Sequence, residues 1–239
     1  MLAVLFLGMI RSFALVVVTL AINFSGLCQQ GGHPILEKMH TRYRNGMCQF
    51  YTFSQRNTHY QNDTVIGNSV WHESVGLPDK FRIVFGDSAK GNSVLFRNDS
   101  ALHYRRSKFS KSSSDSNSLL LLLGGMYYRE LGDVKARLFK AGFDLSFFHE
   151  RTWNGRPVYV LGATQGDETT NQFWVDKKDL VIVRIIERIN PTDIMDMRFE
   201  SHQPWCKGFV ENRVTFRRNG VLEQVEEYYD LKKTENFRQ

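Results

Sequence analysis

The side chains best able to do chemistry in this 239-residue chain are scattered along it rather than gathered. His149-Glu150 sits in a stretch of strand periodicity, His33 and His40 lie seven apart on a helical stretch, and His202 stands just before Cys206. None of these has a ligand spacing such as His-Glu-x-x-His, and two ligands on one helix face do not complete a zinc site. There is no Gly-x-Ser-x-Gly elbow, and Gly124-Gly125 follows leucines without the flanks of a phosphate-cradling loop. Carboxylate pairs such as Glu226-Glu227 project to opposite faces of a strand, so they are poor acid/base partners. The chain reads as non-enzymatic, with no catalytic residue, no metal and no cofactor; an uncharacterised hydrolase is the weakest reading.

Charge narrows the partners little. The formal net charge is +6, a balance compatible with an anionic membrane surface but ordinary for a folded domain. Aromatic and basic residues are not interleaved as in a nucleic-acid platform, so no nucleic-acid partner is expected. The cluster Arg105-Arg106-Ser107-Lys108, with Lys111 beyond it, reads as a solvated loop, and contact with lipid headgroups is the second reading.

The beginning of the chain reads as an export signal over residues 1–28. Arg11 supplies the charge, Phe13 to Ile22 the apolar stretch, and Ser25-Gly26-Leu27-Cys28 the small residues near a cleavage point. Lipidation of Cys28 and an uncleaved anchor over 1–24 are the alternatives; Leu27 before the cysteine and Arg11 within the stretch disfavour them. Export to a periplasm follows, and residues 29–239 suit one domain. Two cysteines then remain, Cys48 and Cys206. In an oxidising compartment they form either a disulfide or two buried free thiols.

The elements that must position these side chains are mostly short and alternating. Pro34 opens an amphipathic helix with Ile35, Leu36, Met39 and Tyr43 at helical spacing and Gly46 as a stop. Strands follow near 47–60, 64–75, 80–86, 93–97 and 101–107, then a Ser/Lys-rich mobile loop over 106–118. A helical insertion over about 117–142 comes next, in which Asp133 caps a helix that Gly142 ends. It reads either as a movable flap or as a helix buried on the sheet. Beyond it, hairpins turn at Asn154-Gly155 and Asn219-Gly220. Leu180 to Ile186 is apolar on both faces, as a central strand requires. The count is ten to eleven strands in hairpin order, and a sheet of that size must curl or split.

Several short motifs resemble the outer-membrane lipoprotein carrier family, the LolA/LolB-like proteins. They are Phe53-Ser54-Gln55, then Gly67 and Trp71, then Pro78 and Phe81-Arg82. Val94-Leu95-Phe96 with Asn98-Asp99-Ser100 and Leu102-His103-Tyr104, and Phe173-Trp174-Val175-Asp176 before Leu180-Val181, are similar to later hairpins of that family. The resemblance implies an α+β, mainly antiparallel, strongly curved open half-barrel whose helices cover the concave face. It implies a lipid or an acylated lipoprotein as partner, an envelope membrane protein as a further one, and a monomer. One position departs: the residue before the motif proline, an arginine in the carrier proper, is Leu77 here. This puts the complete lipoprotein-transfer cycle in doubt but not lipid binding.

On this reading Phe53, Trp71, Phe81, Phe96, Val183 and Ile185 line an apolar cavity, and Leu120, Leu123 and Met126 belong to its lid. For each wall residue plain core packing is the competing reading. The expected function is a periplasmic carrier of acyl chains or lipoproteins, the alternative an envelope sensor on the same scaffold that binds a lipid signal or a protein.

Overall fold

The computed structural model describes residues 31–238 apart from 45 and 116, so the expected export signal, including Cys28, lies outside the described residues. Helix α1 (His33–Tyr43) is followed by strands β1 (Phe50–Gln61), β2 (Thr64–Gly76), β3 (Lys80–Phe85), β4 (Ser93–Arg97), β5 (Ser100–Arg105) and β6 (Lys108–Ser114). The insertion comprises α2 (Ser118–Leu122), a 3-10 turn over Gly125–Tyr128 and α3 (Leu131–Lys140). The chain then forms β7 (Phe148–Trp153), β8 (Arg156–Leu161), β9 (Gln172–Asp176), β10 (Ile182–Arg188), β11 (Ile194–Glu200), β12 (Gln203–Trp205), β13 (Gly208–Val210), β14 (Arg213–Arg218) and β15 (Val221–Lys233).

Thirteen strands make one antiparallel sheet in the order β6-β5-β4-β3-β2-β1-β15-β14-β11-β10-β9-β8-β7, and β12 and β13 form a separate ribbon. The sheet is open, with β6 and β7 as its edges. The long last strand returns to pair with the first, Arg56 opposite Glu227 and Thr58 opposite Val225, which joins the two hairpin series into one surface. Two-residue turns with both residues at positive φ produce this order: Asn62-Asp63, Asn98-Asp99 and Asn219-Gly220. Their backbone twist matches that of the strands they join.

Three expectations are corrected. The Ser/Lys-rich stretch over 106–118 contains a strand, β6, every residue of which is exposed. It pairs along its backbone (Leu102 opposite Ser112), with a ring contact between Tyr104 and Phe109 near its start, and lysines on such an edge oppose further pairing. Before the Asn219-Gly220 turn the chain makes two short strands, β13 and β14, and only β14 joins the main sheet. The main sheet has thirteen strands where ten to eleven were expected, β6 among them. Asp133 also lies in the first turn of α3 rather than before it; Glu130 is the N-cap and makes no side-chain cap bond.

The helices treat the two halves of the concave face differently. Over β7 to β14 they form solid core: Leu36 and Met39 of α1, Leu122, Met126, Val134 and Leu138 pack with Leu161, Phe173, Ile185, Met197 and Val214. Each such fully buried side chain contributes about 1.5–3 kcal/mol. Over β1 to β4 the cover is thinner, and the site lies there.

Candidate functional site

Strand register carries one row of side chains around the hollow half of the sheet. Tyr51, Val75, Phe81 and Phe96 are successive cross-strand partners on β1, β2, β3 and β4. Phe53, Glu73, Ile83 and Val94 form the next row, and Gln55, Trp71 and Phe85 the one after. Because side chains alternate with a period of two, all three rows face one way. They enclose a cavity of about 270 Å³. Its floor and walls include Tyr51, Phe53, Trp71, Phe81, Phe96 and Phe216, and Leu119, Leu120 and Leu123 of the insertion lie over it.

The cover is fixed at several points. Asn117 accepts the Leu120 N–H at 2.8 Å as N-cap of α2. The Ser118 hydroxyl donates to both Glu187 carboxylate oxygens, at 2.9 and 2.8 Å. Tyr128 donates to the Met47 carbonyl at 2.7 Å. Leu77 is buried where the lid turns: a Cβ built on Gly124 would stand 2.9 Å from Leu77 Cδ1, and one on Gly125 2.6 Å from the Pro78 carbonyl oxygen. The position that departs from the resembled pattern thus makes an apolar lid contact. Cys48 and Cys206, with Cα atoms 5.6 Å apart, are joined as a disulfide. It ties the approach to β1 to the β12–β13 ribbon, whose Trp205, Phe209 and Val210 close one end of the cavity.

Of the nine residues assigned to wall and lid from sequence, Phe53, Trp71, Phe81, Phe96, Leu120 and Leu123 come together around this cavity. Met126 and Ile185 do not: both are fully buried in the solid half, beneath α1 and α3. Val183 lies on the other side of the sheet with Trp174, Val158 and Val160. The reason is a register shift between Ile182 and Arg184, which breaks the alternation and sends Val183 and Arg184 outward together. There Arg184 lies 4.4 Å from the Trp174 ring centroid and Arg151 4.6 Å from it.

Sequence reasoning missed the polar residues of the cavity. Glu73, Glu211 and Glu226 line it alongside the aromatic rings, and among the described residues no arginine, lysine or histidine does. Glu226 accepts from Tyr228 at 2.7 Å and from Gln224 at 2.6 Å. Gln55 and Gln224 also donate to Asn57, at 2.7 and 3.1 Å. Burial is the main cause that raises all three carboxyls: Glu211 and Glu226 to about 7, Glu73 well above its ordinary value. The signal was legible in the parity of β2, where Trp71, Glu73 and Val75 share a face. Among the described residues no group of three or more His, Cys, Asp or Glu is placed to hold a metal ion.

The fold is that of several solved structures. A DUF1329 family protein from Desulfovibrio piger superposes with a TM-score of 0.56 at 15% identity, over 85% of this chain and 92% of its own. A LolA superfamily protein from Nitrosomonas europaea gives 0.53 at 12% identity, over 86% and 94%. A putative outer membrane lipoprotein-sorting protein domain from Vibrio parahaemolyticus gives 0.58 at 10% identity, over 89% and 95%. The chain therefore has a LolA-like fold. No family model matches the sequence, and no curated protein matches it.

Proposed function

We propose that this protein is a non-catalytic, periplasmic carrier that holds an acyl chain or other slender apolar group in the hollow half of the half-barrel. The observation that carries this reading is the division of the concave face. Helices pack densely over one half and leave the other, walled by Phe53, Trp71, Phe81 and Phe96, with a cavity of about 270 Å³. Burial of hydrocarbon there gains roughly 25 cal/mol per Å² removed from water. The volume lies near the lower end of small-ligand sites, roughly 300–1,000 Å³, so one chain fits better than several unless the leucine cover lifts. The lipoprotein-sorting description of the similar domain from Vibrio parahaemolyticus supports an acylated cargo and an envelope setting.

Decanol displacing an apolar fluorescent dye from the purified protein tests this. Leu123→Trp, which places an indole in the cavity from the lid, is expected to weaken decanol binding by about tenfold or more and to leave the β-rich circular dichroism unchanged. Unaltered decanol affinity in that variant would place the bound chain elsewhere.

A further inference from the structure

The carrier reading accounts for the aromatic walls but not for three carboxyl groups in an apolar cavity. Burying an ionised carboxylate without a partner is expensive, and replacing it by an apolar side chain is usually neutral or stabilising. Glu73 is only 4% exposed, lines the cavity, and accepts no hydrogen bond from any described residue; burial and the neighbouring Glu226 and Glu211 are all that act on it. Glu211 likewise receives no bond from any other described side chain, and burial is the main influence on it. The cavity-facing titratable groups on the adjoining strands are Tyr51 on β1 and Tyr228 on β15, both kept neutral by burial. None of these groups is a cation, and the carboxyls are not grouped as metal ligands.

Aromatic rings surround the same groups. Phe53 and Tyr228 have ring centroids 4.8 Å apart, Tyr51 and Phe53 6.1 Å, and Tyr51 and Trp205 6.5 Å. Phe53 is the direct cross-strand partner of Glu73. Ring faces beside carboxylates recognise organic ammonium groups, the rings through their quadrupole and the carboxylates through charge-assisted hydrogen bonds.

Resting on the carrier reading, we propose that the cavity selects amphiphiles bearing an amine: the hydrocarbon lies beneath Leu119, Leu120 and Leu123, and the ammonium sits among Glu73, Glu211 and Glu226. The ligand's positive charge supplies the counter-ion that the protein withholds. A carboxyl that is neutral in the empty cavity releases its proton to water as the ammonium arrives, and the ammonium keeps its own.

Dye displacement by decylamine, decanol and decanoate, which share one chain length, tests the selection at about pH 8, where the amine is still cationic. Decylamine is expected to bind about tenfold more tightly than decanol, with decanoate weakest. In the Glu73→Gln/Glu226→Gln double variant, which keeps Glu211, the preference for the amine over the alcohol is expected to fall to about threefold or less. Those substitutions conserve shape and remove buried charge, and retained decanol binding reports an intact cavity. Equal binding of decylamine and decanol by the unaltered protein, or an undiminished amine preference in the double variant, overturns the selection and leaves the carrier reading standing. Failure of both decylamine and decanol to displace the dye overturns the two together.

Discussion

Glu226 and Tyr228, two residues apart on β15, face the same side of the sheet and are joined by a 2.7 Å hydrogen bond from the phenol to the carboxylate. This bond favours the ionised carboxylate, yet burial outweighs it and the group titrates at about 7. The physical consequence is a group that prefers to be protonated in the folded protein and not in the unfolded chain, whose glutamates titrate near 4.5.

The sign of the pH dependence follows. A folded-state value above the unfolded one means that the folded protein binds more protons between about pH 4.5 and 7. Stability is therefore greatest near the low end of that window and falls as pH rises through 7. For Glu226, which is 6% exposed, the loss is at most about 3 kcal/mol, or roughly 6–12 °C in melting temperature for a domain of this size. Asp167 opposes it at the acid end. Hydrogen bonds from the Thr170 hydroxyl and the Thr169 N–H hold it at about 2, so its contribution is present above pH 4 and disappears as pH falls toward 2. Melting curves by circular dichroism between about pH 3 and 9 should show a maximum near 5 and a decline toward 8. Glu226→Gln should flatten the decline by about a third or more; a decline of unchanged slope would assign it to other groups.

Much of this architecture was legible in the sequence because it rests on local rules. Asn154-Gly155 and Asn219-Gly220 specify hairpins by their backbone alone, and both turns have positive φ at each residue. Phe53, Trp71, Phe81 and Phe96 were reached through the motifs of the resembled family, and the unshifted register of β1 to β4 with one another at these positions keeps them on one wall. Val183 was misplaced because the shift beside it depends on how β10 meets β9, and no pattern within β10 alone announces it. Met126 and Ile185 were misplaced for a different reason. Whether an inward-facing apolar residue meets a cavity or a helix depends on where α1 and α3 dock, which is a long-range matter. The strand β6 was hidden because exposed serines and lysines carry no alternation; its pairing is written in the backbone.

The lid turn at Gly124-Gly125 has no room for a side chain. A Cβ on Gly125 would meet the Pro78 carbonyl oxygen at 2.6 Å and the Leu120 carbonyl oxygen at 2.8 Å, and both are backbone atoms that move only with their chains. Gly125→Ala is expected to cost about 1–3 kcal/mol and to displace α2 from its place over Phe81 and Phe96. Limited proteolysis should then cut faster between Ser118 and Leu123, with weaker decanol binding. Native protection and affinity would show that the turn yields without moving the cover.

The disulfide joins residues 158 apart in sequence, so it closes a long loop in the unfolded chain. Chain entropy alone gives about 5 kcal/mol for such a loop, and measured values are typically 2–4 kcal/mol. Cys48→Ser/Cys206→Ser should lower the urea midpoint accordingly. It should also loosen the end of the cavity formed by Trp205, Phe209 and Val210, seen as faster dye dissociation. Alkylation of the unreduced protein under denaturing conditions should leave both cysteines unlabelled; labelling at either would mean free thiols.

Arg184 offers the complementary test, on the convex side of the sheet. It is 5% exposed, donates to the two carboxylate oxygens of Asp196 at 2.7 and 2.9 Å, and reaches Glu168 at 2.9 Å. Removing one partner of a buried pair leaves the other charge without compensation, typically at about 3–5 kcal/mol. Here Arg198 still holds Asp196 at 2.8 Å, which reduces the expected cost of Arg184→Met to about 2–3 kcal/mol. Val183→Ala, in the same convex cluster, should cost about 1 kcal/mol or a little more. Because both side chains lie across the sheet from the cavity, neither change should alter decanol or decylamine affinity under conditions where the variants are folded. Urea denaturation beside dye displacement separates the two readouts. A selective loss of ligand affinity in Val183→Ala, with stability unchanged, would return Val183 to the cavity wall and contradict the register of β9 with β10.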